Sequence, residues 1–271
     1  MRYGFCTGFA TNPRFTIDSS LEAAVSSWGF DYIEYPLMSL VALTEEDFAA
    51  LQKRAAGAHL ACDSMCNLFP GSVPVVGNAV SEEQIRTYLD IAFERAAALS
   101  SKKIIFGSAG ARKRNGLPLE KANQQFLTCL HLLEEYCSRY QVVVLLEAIR
   151  RGEADYINTL AEGAELVYRA REKGCDHIGL MADLFHMESN GEPLSDLERY
   201  LPLIQHIHLC EMDRKLPKEQ FSPYLQKAIE ILRVKAYHET VSYESVMPDN
   251  RAEATKAAEL LKAGFSNIKI E

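Results

Sequence analysis

Four polar side chains end consecutive apolar segments in the second half of the chain. Glu147 ends VVVLLE, Asp183 ends IGLMAD, His208 lies in HIHLC, and Glu244 ends TVSYE. Any one of these carboxylates could equally cap a helix or form a surface ion pair, whereas a lone buried carboxylate is costly to desolvate. Four such groups around one axis would repel one another unless a cation lay among them. Three carboxylates and one imidazole favour Mn2+, Mg2+ or Co2+ over a structural thiolate-bound zinc.

Further polar residues at the predicted strand ends leave alternatives open. His206 lies two residues before His208 and shares its strand face, so it is either an alternative ligand or a partner of the ligand. Tyr32, Glu34 and Asn67 lie at early strand ends. They either line a pocket or serve as core and capping residues.

The segments that carry these side chains alternate with longer helical patterns. The short apolar segments are typical of strands buried on both faces, and eight β–α units predict a (β/α)8 TIM barrel whose active site lies at the carboxyl ends of the strands. The alternative, a doubly wound sheet, lacks the Gly-x-Gly-x-x-Gly signal after the first strand. The predicted strands are Tyr3–Thr7, Tyr32–Pro36, Ala58–Cys62, Lys103–Phe106, Val142–Glu147, Ile178–Asp183, His206–Leu209 and Glu239–Glu244. The predicted helices are Ile17–Trp28, Thr44–Ala56, Ser81–Leu99, Leu119–Arg139, Leu160–Lys173, Leu194–Tyr200, Phe221–Leu232 and Arg251–Ala263.

Bulk properties agree with one cytoplasmic barrel domain over residues 1–271. The chain has 271 residues, 48% of them hydrophobic, and a net charge of −8. That charge argues against nucleic acid or an anionic membrane as partner, because both require clustered Lys and Arg. No segment approaches the ~20 apolar residues of a membrane span, and the amino terminus has no signal-peptide pattern. Seven scattered cysteines are expected to be reduced and buried. The sequence is compatible with a homo-oligomer and with a monomer.

Several longer segments resemble a known enzyme group. LLEAIRRGEADYINTL, GLMADLFHMESNGEPL, HIHLCEMDR and VSYESV carry the likeness, which continues more weakly into FDYIEYPL and KKIIFGSAGARKRNG. They resemble the sugar isomerase/epimerase superfamily with the xylose-isomerase-like TIM barrel. Within it they are most similar to the ketose 3-epimerase (tagatose/psicose epimerase) group.

The resemblance implies a site residue by residue. It places the metal ligands on Glu147, Asp183, His208 and Glu244. They would hold one divalent ion, with Mn2+ preferred and Co2+, Mg2+ or Zn2+ as alternatives. The two catalytic carboxylates fall on Glu147 and Glu244. The substrate-binding residues fall on Glu153, His186 and Arg214.

The sequence departs from the group at two places. The usual Glu-Pro-x-Asn-Arg-x-Glu segment appears as residues 147–153, EAIRRGE, with Arg150 replacing Asn. This change alters the pocket wall and argues against free ketohexoses as substrates. After the fourth strand, residues 107–110 are GSAG, and Arg112 follows. This loop is interpreted as a plain turn, with an anion cradle for a group such as phosphate as the alternative.

The predicted function is a metal-dependent isomerase or epimerase of a small sugar or sugar phosphate. Glu147 and Glu244 would form an acid/base pair around a metal-stabilised enediolate. Three alternatives remain. One is a dehydratase of a cyclic ketone, such as an inosose or a dehydroshikimate-like compound. Another is a sugar-binding barrel without activity, and the most remote is an endonuclease IV-like DNA repair enzyme, which the charge of −8 opposes.

Overall fold

The strands close into a barrel. The computed structural model of the chain describes residues 1–8 and 20–266. Within them, eight parallel strands pair in sequence order, and the last pairs with the first. The predicted (β/α)8 barrel is therefore confirmed. The strands are β1 Arg2–Cys6, β2 Tyr32–Pro36, β3 Ser64–Cys66, β4 Lys103–Phe106, β5 Val143–Glu147, β6 Ile178–Asp183, β7 Ile204–Leu209 and β8 Thr240–Glu244.

Helices follow the strands along the described chain. Thr44 caps the helix Glu45–Gly57 (α3) through its hydroxyl, and Ser81 caps the helix Glu82–Ala98 (α4) in the same way, as their sequences predict. The sequence does not predict two short helices, Leu37–Val41 (α2) and Leu184–Ser189 (α7). The first predicted helix is found only as α1, and its residues 17–19 lie outside the described part. The helices are α1 Leu21–Ser27, α2 Leu37–Val41, α3 Glu45–Gly57, α4 Glu82–Ala98, α5 Leu119–Tyr140, α6 Leu160–Arg171, α7 Leu184–Ser189, α8 Leu194–Tyr200, α9 Pro223–Val234 and α10 Arg251–Phe265.

The third strand lies later than predicted, and the prediction of Ala58–Cys62 is wrong. Ala58 is the C-cap of α3, and His59 has a left-handed φ of +52°, so the chain is still turning there. Ala61 forms only an isolated bridge with Tyr32. The strand proper pairs with β2 through Met65 and Cys66.

The register of the strands sets which side chains face the barrel interior. Alternate residues of a strand point to the same side, so residues two apart lie one above the other inside the barrel. At the carboxyl end, Asp183 lies beside His208, and His208 lies beside Ser242. One apolar layer of the interior consists of Cys6, Cys66, Ile105, Leu145 and Met181.

The rest of the core lies between the strands and the surrounding helices, as in other barrels of this architecture. Within residues 1–8 and 20–266, no helix has the length and apolar character needed to cross a bilayer.

Candidate active site

The four predicted metal ligands meet at the carboxyl end of the barrel. Glu147, Asp183, His208 and Glu244 come from β5, β6, β7 and β8, and all four are buried. One ligand atom of each lies within 4.8 Å of the others. Oxygen and nitrogen ligands surround an ion at ~2.0–2.6 Å, so this separation fits four atoms around one common centre.

Two buried atoms at this centre make no hydrogen bond with any described residue. They are Asp183 Oδ2 and His208 Nδ1. The other oxygen of Asp183 accepts the backbone N–H of Phe185 at 2.7 Å, which fixes the carboxylate. A buried polar atom without a hydrogen bond is costly, and bound metal would remove that cost. The donor set therefore fits a divalent ion.

Glu34, in the middle of β2, holds His208 in position. Its Oε1 lies 2.9 Å from His208 Nε2, and its Oε2 accepts the hydroxyls of Ser64 and Ser242 at 2.9 and 2.8 Å. Burial alone would raise the pKa of Glu34, but His208 and His206 hold it well below the ordinary range. Glu34 is therefore a carboxylate and only accepts hydrogen bonds. His208 therefore donates from Nε2 and turns Nδ1 toward the centre, where a bound ion would replace any proton on that nitrogen.

His206 is a partner of this network and not a candidate ligand. Its Nε2 lies 3.1 Å from Glu34 Oε2, and its Nδ1 lies 2.7 Å from Thr240 Oγ1. Both ring nitrogens are thus engaged away from the ligand cluster. Burial lowers the pKa of His206 to about 4, so the ring is neutral.

The site is electrostatically costly without a cation. Burial and the nearby Glu244 raise the pKa of Glu147 well above the ordinary range, and burial raises the pKa of Glu244 to about 7. Burial by itself would lower the pKa of His208, but Glu34 and Glu244 outweigh it and raise that pKa. These shifts have the sign expected when several carboxylates share one dry site.

The three predicted substrate-binding residues lie beside the ligand cluster. His186 is on α7, and its Nε2 lies 3.5 Å from Asp183 Oδ2. Arg214 donates to Glu244 Oε2 at 3.1 Å. Glu153 lies nearer the solvent, and its Oε1 is 4.0 Å from Arg214 Nη2. Burial lowers the pKa of His186, which favours a neutral imidazole.

Arg150, the departure from the family sequence, lies at the mouth of this site. Its Nε is 2.6 Å from Glu153 Oε1. Both Arg150 and Arg214 lie over the Phe185 ring, at 4.9 and 3.5 Å from its centroid. Phe185 thus orients two guanidinium groups at the entrance through cation–π contacts.

The loop after β4 is a turn held by Arg112, which favours its interpretation as a plain turn over an anion cradle that uses Arg112. Arg112 is buried and donates to the backbone carbonyls of Gly107, Glu147, Tyr156 and Ile157. Its guanidinium is therefore committed to the protein backbone. Gly107 is needed for space, since a Cβ there would overlap Glu147 Oε2.

Sequence reasoning missed the positioning function of three residues. The sequence places Glu34 at an early strand end with a core or capping function as an alternative, and it does not indicate that this carboxylate supports His208 from inside β2. Arg112 and Phe185 offered no signal, because their partners are backbone carbonyls and side chains that only the fold brings near. Tyr32 is a core residue that bonds Ser242, and Asn67 donates to Cys66 Sγ at 3.7 Å.

Comparison with known proteins gives the same barrel architecture. Residues 22–264 match the model of the Xylose isomerase-like TIM barrel family. The chain belongs to this family. It is 25% identical over 230 residues to 3-dehydro-D-guloside 4-epimerase of Escherichia coli, covering 81% of this chain and 84% of the relative. It is 24% identical over 210 residues to D-psicose 3-epimerase of Agrobacterium fabrum, covering 74% and 70%.

The predicted resemblance is therefore confirmed. Both relatives are named epimerases, which are isomerases, in agreement with the predicted enzyme class. Among solved structures, the IOLI protein with a bound zinc atom superposes with a TM-score of 0.73 at 17% identity, covering 100% of both chains. At this identity the likeness concerns the fold.

Proposed function

We propose that this chain is a metal-dependent epimerase or isomerase of a small polyhydroxylated ketone, free or phosphorylated. The observation that carries the proposal is the convergence of Glu147, Asp183, His208 and Glu244 on one buried centre. It is supported by membership of a family in which two curated relatives are sugar epimerases. The barrel as a whole, residues 1–271, would act as one domain.

One divalent ion would be held by the four convergent residues. Their oxygen-rich chemistry favours Mn2+, with Co2+, Mg2+ and Zn2+ as alternatives. The zinc atom in the structurally similar IOLI protein supports the divalent class. When bound, the ion would polarise the substrate carbonyl as a Lewis acid.

Glu147 and Glu244 would move the proton. They stand on β5 and β8, on different sides of the barrel mouth. A carboxylate held beside the reacting carbon can accept a proton, and a carboxylic acid can return one. One glutamate would remove a proton from the carbon beside the carbonyl, and the other would return a proton to the opposite face. That sequence inverts the carbon.

His186, Arg214 and Glu153 would bind the substrate oxygens. Neutral His186 offers one donor and one acceptor, while Arg214 donates from two directions. Their burial excludes water from the reacting carbon. Glu153 lies at the rim and would contact a more distant hydroxyl.

The test is proton exchange with solvent. Purified protein, loaded with Mn2+, would be incubated in deuterated water with ketoses, 3-keto glycosides, ketose phosphates and cyclic polyhydroxy ketones. NMR should show deuterium at the carbon next to the carbonyl of one class, together with its epimer or isomer. Chelator should abolish the exchange.

Glu239→Gln is the matched control, because Glu239 lies just before the opposite end of β8 and pairs with Lys103. It should retain exchange, whereas Glu244→Gln should lose it. Exchange with none of the classes would contradict the proposed function. An unsaturated product formed with loss of water would replace it by dehydration.

A further inference from the structure

A second cluster of ligand atoms lies directly below the site already described. Cys6 ends β1 and Cys66 ends β3, and their sulfur atoms are 3.4 Å apart inside the barrel. Cys6 Sγ is also 3.9 Å from Glu244 Oε1. Both thiols are free and buried. From these contacts we infer that Cys6, Cys66 and Glu244 form a binding site for a thiophilic metal ion such as Zn2+, Cd2+ or Cu+.

The distances fit such an ion. Two thiolates at ~2.3 Å from a tetrahedral zinc lie ~3.8 Å apart, so the sulfurs need to shift by only a few tenths of an ångström. The carboxylate oxygen of Glu244 lies 3.9 Å from Cys6 Sγ, and the three ligand atoms all lie within 4.8 Å of one another. A direct disulfide, by contrast, requires the sulfurs to approach to ~2.05 Å.

Glycine leaves open the space that the three ligand atoms share. A Cβ built on Gly8 would lie 3.3 Å from Cys66 Sγ, 3.4 Å from Glu244 Oε1 and 3.5 Å from Cys6 Sγ. The same point is therefore close to all three atoms, and no side chain of residues 1–8 and 20–266 occupies it. Asn67 Nδ2 donates to Cys66 Sγ at 3.7 Å, a contact that also stabilises a metal-bound thiolate.

The chemistry separates this cluster from the neighbouring one. Soft thiolates select Zn2+, Cd2+ and Cu+, while carboxylates and imidazole accept harder ions. A thiol binds such an ion as thiolate, so binding at the two cysteines should release protons to solvent. Glu244 faces both clusters, with Oε2 toward Arg214 and Oε1 toward Cys6.

Occupation of the thiol cluster would inhibit the enzyme. An ion bound to Oε1 would hold the Glu244 carboxylate in place and make it a weaker base for proton transfer. This consequence rests on the proposed function of Glu244, whereas metal binding at the two cysteines does not. Binding and inhibition are therefore measured separately.

The test uses the full chain, preloaded with Mn2+, in oxygen-free buffer with a phosphine reductant. Cd2+ is titrated while thiolate-to-cadmium charge-transfer absorption is recorded in the ultraviolet. We expect about one equivalent of thiolate-bound cadmium in the wild type. Cys6→Ser and Cys66→Ser should each weaken cadmium binding at least about tenfold. Gly8→Ala should also weaken it, because the added methyl group would fill the space beside the three ligand atoms. Cys129→Ser, a buried cysteine of α5, is the matched control and should bind like the wild type.

X-ray absorption at the cadmium edge provides a second readout that needs no variant, and it should show two sulfur neighbours. Absence of the charge-transfer band, or of sulfur neighbours, would overturn the site. So would a band that persists unchanged in Cys6→Ser and Cys66→Ser. A thiolate band in a protein that exchanges no substrate proton would uphold the site and reject the proposed function instead.

Discussion

Replacing Glu34 by glutamine should weaken metal binding while preserving the barrel. The carboxylate accepts from His208 on one oxygen and from His206, Ser64 and Ser242 on the other. Glutamine keeps the shape but offers one acceptor oxygen and one donating NH2 group. Whichever way the amide lies, at least one of the four donors faces another donor. The perturbation therefore acts on the orientation of His208.

The size of the effect follows from the two orientations of the amide. If the amide oxygen faces His208, the imidazole keeps its Nε2 proton but loses the charge that makes it a stronger ligand. If the NH2 faces His208, Nε2 must become the acceptor, and the proton moves to Nδ1, the nitrogen that would bind metal. Loss of such a supporting carboxylate costs about 10- to 100-fold in metal affinity, or about 1.4–2.7 kcal/mol. The second orientation corresponds to the upper value.

The assay is calorimetric titration of chelator-treated protein with Mn2+. Glu134→Gln is the matched control, because Glu134 also pairs with a histidine, His177, but on α5 outside the barrel interior. It should leave the Mn2+ dissociation constant unchanged. Wild-type affinity in Glu34→Gln, with circular dichroism showing a folded barrel, would refute the positioning of His208 by Glu34.

Five other substitutions test the site and its support. Glu147→Gln and Glu244→Gln should each lower proton exchange by about 10²–10⁴-fold and still bind metal. Asp183→Asn should instead lose metal and recover activity in excess Mn2+. Near-normal exchange in both glutamine variants would reject the acid/base pair. Arg112→Met should lower the free energy of unfolding by more than about 3 kcal/mol in urea, because buried carbonyls lose their donors, and an unchanged midpoint would contradict this. Burial raises the pKa of Glu192 to about 7, so its contribution to stability is present below the ordinary carboxyl pKa and is lost as pH rises toward 7. Glu192→Gln should flatten that fall by on the order of 1 kcal/mol in urea unfolding at several pH values, and a parallel profile would refute it.

The sequence predicted the barrel and the ligand cluster because both depend on local patterns. An apolar segment that ends in Glu147, Asp183 or Glu244 is read from consecutive residues. The barrel architecture then brings all carboxyl strand ends to one face without any further information. Convergence of the site thus follows from strand order, which the alternation of elements had already indicated.

The features that were missed depend on contacts between distant residues. Glu34 and His208 are 174 positions apart. Arg112 finds its carbonyl partners 5 to 45 positions away. The third strand was misplaced because its pairing with β2, and not its own composition, selects Ser64–Cys66 over the equally apolar residues before it.

The loop after β5 shows how a changed sequence can keep the metal centre and alter its entrance. Glu147 is held from behind by the Arg112 contact with its backbone carbonyl, which does not depend on the two replaced residues, Ala148 and Arg150. Arg150 instead pairs with Glu153 and shares the Phe185 ring with Arg214. A molecule entering this site meets two guanidinium groups and one carboxylate. Under the proposed function, the strand ends would therefore set the chemistry at the centre, while this entrance would set the choice of ketone.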